Sequence, residues 1–250
     1  MNIKTDLKDF YNIEAEKYYY TRNKHRSDGE IILNEIKKIK KKNISILEFG
    51  CGWWRLITFL NSNIKDKKIN YIWIDISQWL LKFAQKDNKD NKFICEDIAK
   101  YIKNIKQESL DLIIWIASFQ HAPDKKERLF LMKNFYKTLN YGWKLIMINR
   151  SLSSWFIKKH KNTIKKSLRK TIYTFGKHNW RDLWIPWKNR NQIHYRFYHM
   201  FGIKELSILW KISWFRINKL WYIDKSGHDV SSWKKSNNTL FIWEKKVFIK

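Results

Sequence analysis

The residues of this chain best suited to holding a ligand stand in and just after one glycine-rich turn. The run Ile46-Leu47-Glu48-Phe49-Gly50-Cys51-Gly52-Trp53-Trp54-Arg55 reads as a strand, a tight turn and the start of a helix. In that arrangement backbone N–H groups can approach a ligand closely. Acidic residues recur at the ends of two later strand-like runs, Asp75 in Tyr71-Ile72-Trp73-Ile74-Asp75-Ile76-Ser77 and Asp97 in Phe93-Ile94-Cys95-Glu96-Asp97. Asp75 follows Glu48 by 27 residues, a distance that suits one strand–helix–strand unit. A lone glycine-rich loop is a weak signal, so the downstream spacing carries the weight.

These residues need a scaffold, and the chain supplies the pattern of one. From about residue 42 to Arg150, short β-rich runs alternate with helical patterns, which predicts a parallel α/β sheet. Strands are expected at Ile44–Phe49, Asn70–Asp75, Lys92–Cys95, Leu110–Ile116 and Lys144–Asn149, with helices near 54–62, 77–86 and 125–139. Residues 1–41 read as a helical preface in which Ile31, Ile32, Ile36 and Ile39 give an apolar face. Residues 151–203 form a basic insertion: between 151 and 200 there are 12 Lys and Arg and one acid, Asp182. A helix at Lys204–Ser213 and strands at Phe215–Tyr222 and Thr239–Lys245 complete residues 204–250. The expected fold is a single α/β domain with a Rossmann-like, seven-stranded, mostly parallel sheet.

Composition narrows the class. The 250 residues are 44% hydrophobic and 30% charged, which suits a globular chain and not a disordered one. No apolar run reaches the ~18–20 residues that span a bilayer, and the N-terminus lacks a secretory pattern. A soluble, cytoplasmic protein with no membrane partner is expected. Two cysteines, Cys51 and Cys95, exclude a disulfide framework and a multi-cysteine zinc site. The net charge of +28 points toward polyanions, nucleic acid first. Lys, Ile and Asn are all abundant, however, and A/T-rich codons encode all three, so codon drift accounts for part of that charge.

The tryptophan count is anomalous. The chain has 15 Trp and 7 Gly, and together these 22 residues come near an ordinary glycine allowance of about 7%. Some bacteria read UGA as glycine, and translation with a table that assigns UGA to tryptophan prints Trp at such codons. Trp54 would thrust an indole of roughly 150–250 Å² into a turn that needs bare backbone. Trp53 and Trp54 are therefore expected to be UGA-encoded glycines; the family resemblances given next imply the same of Trp73 and Trp143, and imply a genuine tryptophan at Trp187.

With those positions taken as glycine, the turn resembles the first motif of class I S-adenosylmethionine-dependent methyltransferases, an acid followed by Gly-x-Gly-x-Gly. The run ending in Asp75 resembles that family's Gly-hydrophobic-Asp, and Leu139-Asn140-Tyr141-Gly142-Trp143-Lys144-Leu145 its Leu-x-x-Gly-Gly-x-Leu turn. Each of these three motifs has Trp where the family has Gly. The resemblance implies S-adenosylmethionine as cofactor. It places Glu48, Gly50, Gly52 and position 54 around that cofactor, Asp75 on its ribose hydroxyls and Asp97 near its adenine amino group. No metal is implied.

The acceptor must be read from the rest of the chain. Phe10-Tyr11-Asn12-Ile13-Glu14-Ala15 followed by Tyr20-Thr21-Arg22 is similar to the lead-in of tRNA wobble-uridine carboxymethyl methyltransferases. So are Asp182-Leu183-Trp184-Ile185-Pro186-Trp187, Arg196-Phe197-Tyr198-His199-Met200-Phe201 and Glu205-Leu206. Phe197, Met200 and Gln120-His121 depart from that family's pattern, which bears on the acceptor and not on the fold. The resemblance implies esterification of a carboxymethyl uridine. Arg196, Tyr198 and His199 would then serve the acceptor, and Arg22 either the acceptor or the cofactor's carboxylate. The insertion's Lys158, Lys159, Lys161, Lys165, Lys166, Arg169 and Lys170 would meet tRNA phosphates. The sequence leaves open a small activating subunit. It also leaves open a small-molecule acceptor such as a quinone, lipid or organic acid, or a non-catalytic RNA-binding relic if Trp53 and Trp54 are genuine.

Overall fold

The computed structural model describes residues 2–21, 28–52, 55–88, 91–189 and 192–246. Three helices come first, α1 (Ile3–Ile13), α2 (Ala15–Thr21) and α3 (Asp28–Lys37). The alternating region follows as β1 (Asn43–Phe49), α4 (Arg55–Asn63), β2 (Lys68–Asp75), α5 (Gln78–Asp87), β3 (Lys92–Cys95), α6 (Ile98–Tyr101), β4 (Leu110–Ile116), α7 (Lys125–Thr138) and β5 (Leu139–Arg150). The insertion holds α8 (Ser154–Lys159), α9 (Lys161–Tyr173), β6 (Asp182–Asn189) and β7 (Gln192–His199). The chain ends with α10 (Ile203–Ser213), β8 (Phe215–Ile223), β9 (Asp229–Val230) and β10 (Asn238–Lys245).

The sheet runs β3-β2-β1-β4-β5-β10-β8-β9. Its first five strands pair in parallel, whereas β10, β8 and β9 each pair antiparallel with their neighbours. It therefore has eight strands, not the expected seven, because the two-residue β9 adds an edge that is too short to leave a periodic signal. β6 and β7 form a separate antiparallel hairpin outside the sheet.

Strand and helix boundaries follow local chemistry. β4 is buried on both faces, as its unbroken run Leu112-Ile113-Ile114-Trp115 requires. Side chains alternate across the sheet: Leu47, Phe49, Ile113 and Trp115 pack with Phe135 of α7 on one face. Ile44, Ile46, Ile114 and Ile146 pack with Ile36 of α3 and Leu60 of α4 on the other. Side-chain oxygens cap helix starts, Asn2 on α1, Ser77 on α5, Asp97 on α6, Asp124 on α7 and Ser153 on α8. No helix among the described residues is long and apolar enough to cross a membrane.

The insertion builds its own small core from Phe156, Ile164, Leu183, Ile185, Tyr198 and Met200. A polar knot ties it to the main domain. His199 is fully buried, with Nδ1 2.6 Å from Asp182 and Nε2 2.8 Å from Glu205. Arg128 of α7 stands 3.6 Å and 3.7 Å from the same two carboxylates. His199 is thus engaged on both ring nitrogens by β6 and α10.

Candidate active site

A cavity of about 490 Å³ opens at the carboxyl ends of β1, β2 and β4, where the strand order reverses direction. Open parallel sheets bind ligands at such a switch point. Gly50 and Gly52 line it, both at φ +57, a left-handed conformation that glycine adopts without strain. A Cβ on Gly50 would lie 2.4 Å from Ser118 Cβ, so β1 and the turn after β4 can approach this closely only with glycine there. A Cβ on Gly52 would meet nothing within 4 Å, which leaves its backbone open to the cavity. Across the floor, Ala117 holds a left-handed φ of +54, a strain of the kind that collects at functional sites.

Acidic groups line the same cavity. Asp75 is buried, and its two oxygens accept from the N–H groups of Gly52 and Ser77, each at 2.9 Å. Burial raises its pKa, and the backbone N–H donors oppose that rise. A carboxylate has about four acceptor positions, so Asp75 keeps capacity for donors from a ligand. Glu48 is also buried and accepts from the Tyr71 hydroxyl at 2.9 Å. Asp97 caps α6 through Ala99 N–H and is paired with Lys4 Nζ at 2.6 Å. Lys4 also reaches Glu127 at 2.8 Å, and this fastens α1 across the cavity. Burial works against that ammonium, but hydrogen bonds to Asp97 and Glu127 win and raise its pKa. Lys4 and Glu127 are cavity residues that no sequence motif marked.

At one end the cavity wall is made by Tyr11, Tyr18 and His121. His121 Nδ1 lies 2.7 Å from the Phe197 carbonyl oxygen, to which it must donate. Its Nε2 is then the acceptor for the Tyr11 hydroxyl at 2.9 Å. Burial pushes the imidazole pKa down to about 4, against the raising effect of the Phe197 carbonyl, so His121 is neutral at pH 7. Burial also raises the Tyr11 phenol well above its usual value. Folded His121 titrates below its unfolded value of about 6.5, so its contribution is whole above pH 6.5 and drains away toward pH 4. The loss should approach roughly 3 kcal/mol, at 1.36 kcal/mol per pH unit. Denaturant titrations at pH 7 and pH 4.5 should show His121→Gln losing less stability over that interval than the parent.

Behind this wall lies Arg196, 7% exposed and enclosed by the rings of Trp187 at 4.6 Å, Phe10 at 5.1 Å and Tyr198 at 5.2 Å. The Tyr11 hydroxyl lies beside the guanidinium. Arg196 Nε has no hydrogen-bond partner, and no carboxylate among the described residues forms an ion pair with Arg196. A buried cation without a counter-ion carries a large desolvation cost. It is an attractive neighbour for an anion brought by a ligand.

Of the residues expected from sequence, Glu48, Gly50, Gly52, Asp75 and Asp97 all line the cavity. Arg196 and Tyr198 lie together behind its end wall. His199 does not join them: on a strand, 196 and 198 share a face and 199 takes the other, where Asp182 and Glu205 hold it. Its expected catalytic role is corrected to a structural one. Arg22, Trp53 and Trp54 lie outside the described residues.

Comparison with known proteins fits this geometry. Residues 46–142 match the family model described as a methyltransferase domain, and this stretch holds the glycine turn, Asp75 and Asp97. Over those residues, under half of the chain, the protein is similar to methyltransferase domains. No curated protein matches the sequence. Among solved structures, an S-adenosylmethionine-dependent methyltransferase of Methanosarcina mazei superposes with a TM-score of 0.65 at 18% identity, over 86% of this chain and 98% of that one. The PH0226 protein of Pyrococcus horikoshii gives 0.61 at 18% identity, over 90% and 93%. A DhpI–SAM–HEP complex gives 0.65 at 11% identity, over 97% of each chain.

The residues present suit this cofactor. The left-handed glycine turn offers bare backbone, and Asp75 retains acceptor capacity for hydroxyl donors. Bound S-adenosylmethionine supplies a methyl group on a positively charged sulfur, open to in-line displacement. A protein that uses it must hold that methyl and the acceptor in line and exclude water. Such positioning can supply about 7–11 kcal/mol of the barrier.

Proposed function

We propose that this protein transfers the methyl group of S-adenosylmethionine to a carboxylate, and that this carboxylate belongs to a carboxymethyl uridine in a tRNA anticodon. The observation that carries the reading is the buried guanidinium of Arg196 behind the Tyr11–His121 wall, which has ring and hydroxyl neighbours but no carboxylate ion pair among the described residues. An anionic acceptor is the ligand such a wall favours. A carboxylate is already ionised at pH 7, so its methylation needs orientation and no general base. The neutral His121 then serves to fix the Tyr11 hydroxyl instead of to collect a proton.

The surface of the insertion supports an RNA acceptor. Lys158, Lys159, Lys161, Lys165, Lys166, Arg169 and Lys170 lie on α8 and α9, and the only acid between 151 and 200, Asp182, is occupied by His199. Tyr173 and Phe175 follow at 81% and 96% exposure, open to stacking by unpaired bases.

The test is methyl transfer to tRNA bearing carboxymethyl uridine, run beside unmodified tRNA and a panel of small organic acids. Transfer to the modified tRNA alone, with a rate flat from pH 6 to 8, is expected. Reversing the charges of Lys165, Lys166 and Arg169 should weaken tRNA binding and flatten its salt dependence, because fewer counter-ions are released. Transfer to a small acid and none to the modified tRNA would favour the small-molecule reading instead.

A further inference from the structure

The tryptophans divide by the fate of the indole N–H. The half-buried Trp187 donates to Glu14 Oε2 at 2.9 Å, as a tryptophan withdrawn from water normally does. Trp73, Trp115 and Trp243 are 0%, 3% and 0% exposed, and Nε1 of each lacks a hydrogen bond. The Tyr71 hydroxyl approaches Trp73 without hydrogen-bond geometry. These indoles lie on β2, β4 and β10, inside the sheet, where backbone carbonyls are already engaged by the strand ladder. Three orphaned donors in one core run against the general rule that buried polar groups are paired.

Backbone geometry separates a further set. Trp214 closes α10 at φ +61 and ψ +11, the left-handed position that helices commonly give to glycine. Trp243 stands at a register shift between β10 and β8. Trp143 follows the left-handed Gly142, in the stretch of β5 that its pairing with β4 skips. Glycine within a strand marks such irregularities. The same five positions come from a chain with 15 Trp and 7 Gly.

We infer that positions 73, 115, 143, 214 and 243 are glycine in the protein as synthesised in its own cell, through decoding of UGA as glycine, and that Trp187 is encoded by UGG. The consequence for function falls on Trp115, which lines the cofactor cavity with Phe49 and Ser118. Glycine there removes an indole from the wall and enlarges the space for cofactor and acceptor. The same decoding turns residues 50–54 into Gly-Cys-Gly-Gly-Gly.

Peptide mass spectrometry of the protein recovered from its source cells tests the inference directly. Glycine at 115, 214 and 243 with tryptophan at 187 is expected, and an indole mass at any of those three positions overturns it. A second measurement uses recombinant protein. Trp214→Gly should raise the melting temperature and Trp214→Ala should not, since alanine is also strained at positive φ. A fall with glycine would overturn the conformational argument. Neither readout involves methyl transfer, so failure of the proposed acceptor leaves this test intact.

Discussion

Arg196→Met should cut methyl transfer to the carboxylate acceptor by roughly 10- to 100-fold while leaving the fold as stable as before or more so. The loss follows from removing a positive charge that acts on the proposed acceptor from behind the Tyr11–His121 wall; taken at the size of one charged hydrogen bond, about 1.5–3 kcal/mol, it converts at 1.36 kcal/mol per decade of rate. The gain follows from the surroundings of the side chain. Its guanidinium lies under the rings of Phe10, Trp187 and Tyr198 and has no carboxylate partner among the described residues. Replacing buried charge by a hydrophobic group of similar volume is often neutral or stabilising. A residue kept only for structure would show the opposite pairing, with stability falling and activity following it. Turnover and chemical denaturation measured on the same preparation decide between the two. A methionine variant that unfolds more readily and still turns over normally would remove Arg196 from the acceptor site. The loss should fall on turnover and not on RNA affinity, because Arg196 is not among the α8 and α9 cations proposed to meet phosphates.

The cofactor half of the molecule was legible because its signals are local. β1, β2, β4 and β5 are β-branched runs between turns, and strand ends at Phe49, Asp75, Cys95 and Ile116 fall where the sequence puts them. Gly50, Gly52 and Asp75 are likewise fixed by being the last residues of a strand or the first of a turn. The Tyr11–His121 end of the cavity was less legible because it is assembled across the chain. Tyr11 and His121 are 110 residues apart, and nothing in either local sequence announces that one hydroxyl will meet one imidazole. The β6–β7 hairpin lacks a clean alternation, since Pro186, Trp184 and Trp187 interrupt it. Without that hairpin in view, Arg196, Tyr198 and His199 read as one cluster. Strand geometry divides them, and the division sends His199 to the knot with Asp182, Glu205 and Arg128.

Asp75→Ala should weaken S-adenosylmethionine binding by about 10- to 100-fold, the equivalent of 1.5–3 kcal/mol for one charged hydrogen bond. Calorimetry on the protein with glycine at 53 and 54 gives the cleanest reading, because the turn is then free of indole. Two effects of the substitution must be separated. Asp75 holds the N–H groups of Gly52 and Ser77, so its removal also releases the glycine turn and the start of α5. Asp75→Asn distinguishes these roles. Its amide oxygen can still accept from one of the two backbone donors, while the negative charge offered to ligand hydroxyls is gone. If the carboxylate serves the cofactor, asparagine should lose affinity with a melting temperature closer to that of the parent than alanine shows. If it serves only the turn, asparagine should retain near-parental affinity. An unchanged dissociation constant in both variants would take Asp75 out of the binding site and leave it as a tether between β2 and the glycine turn.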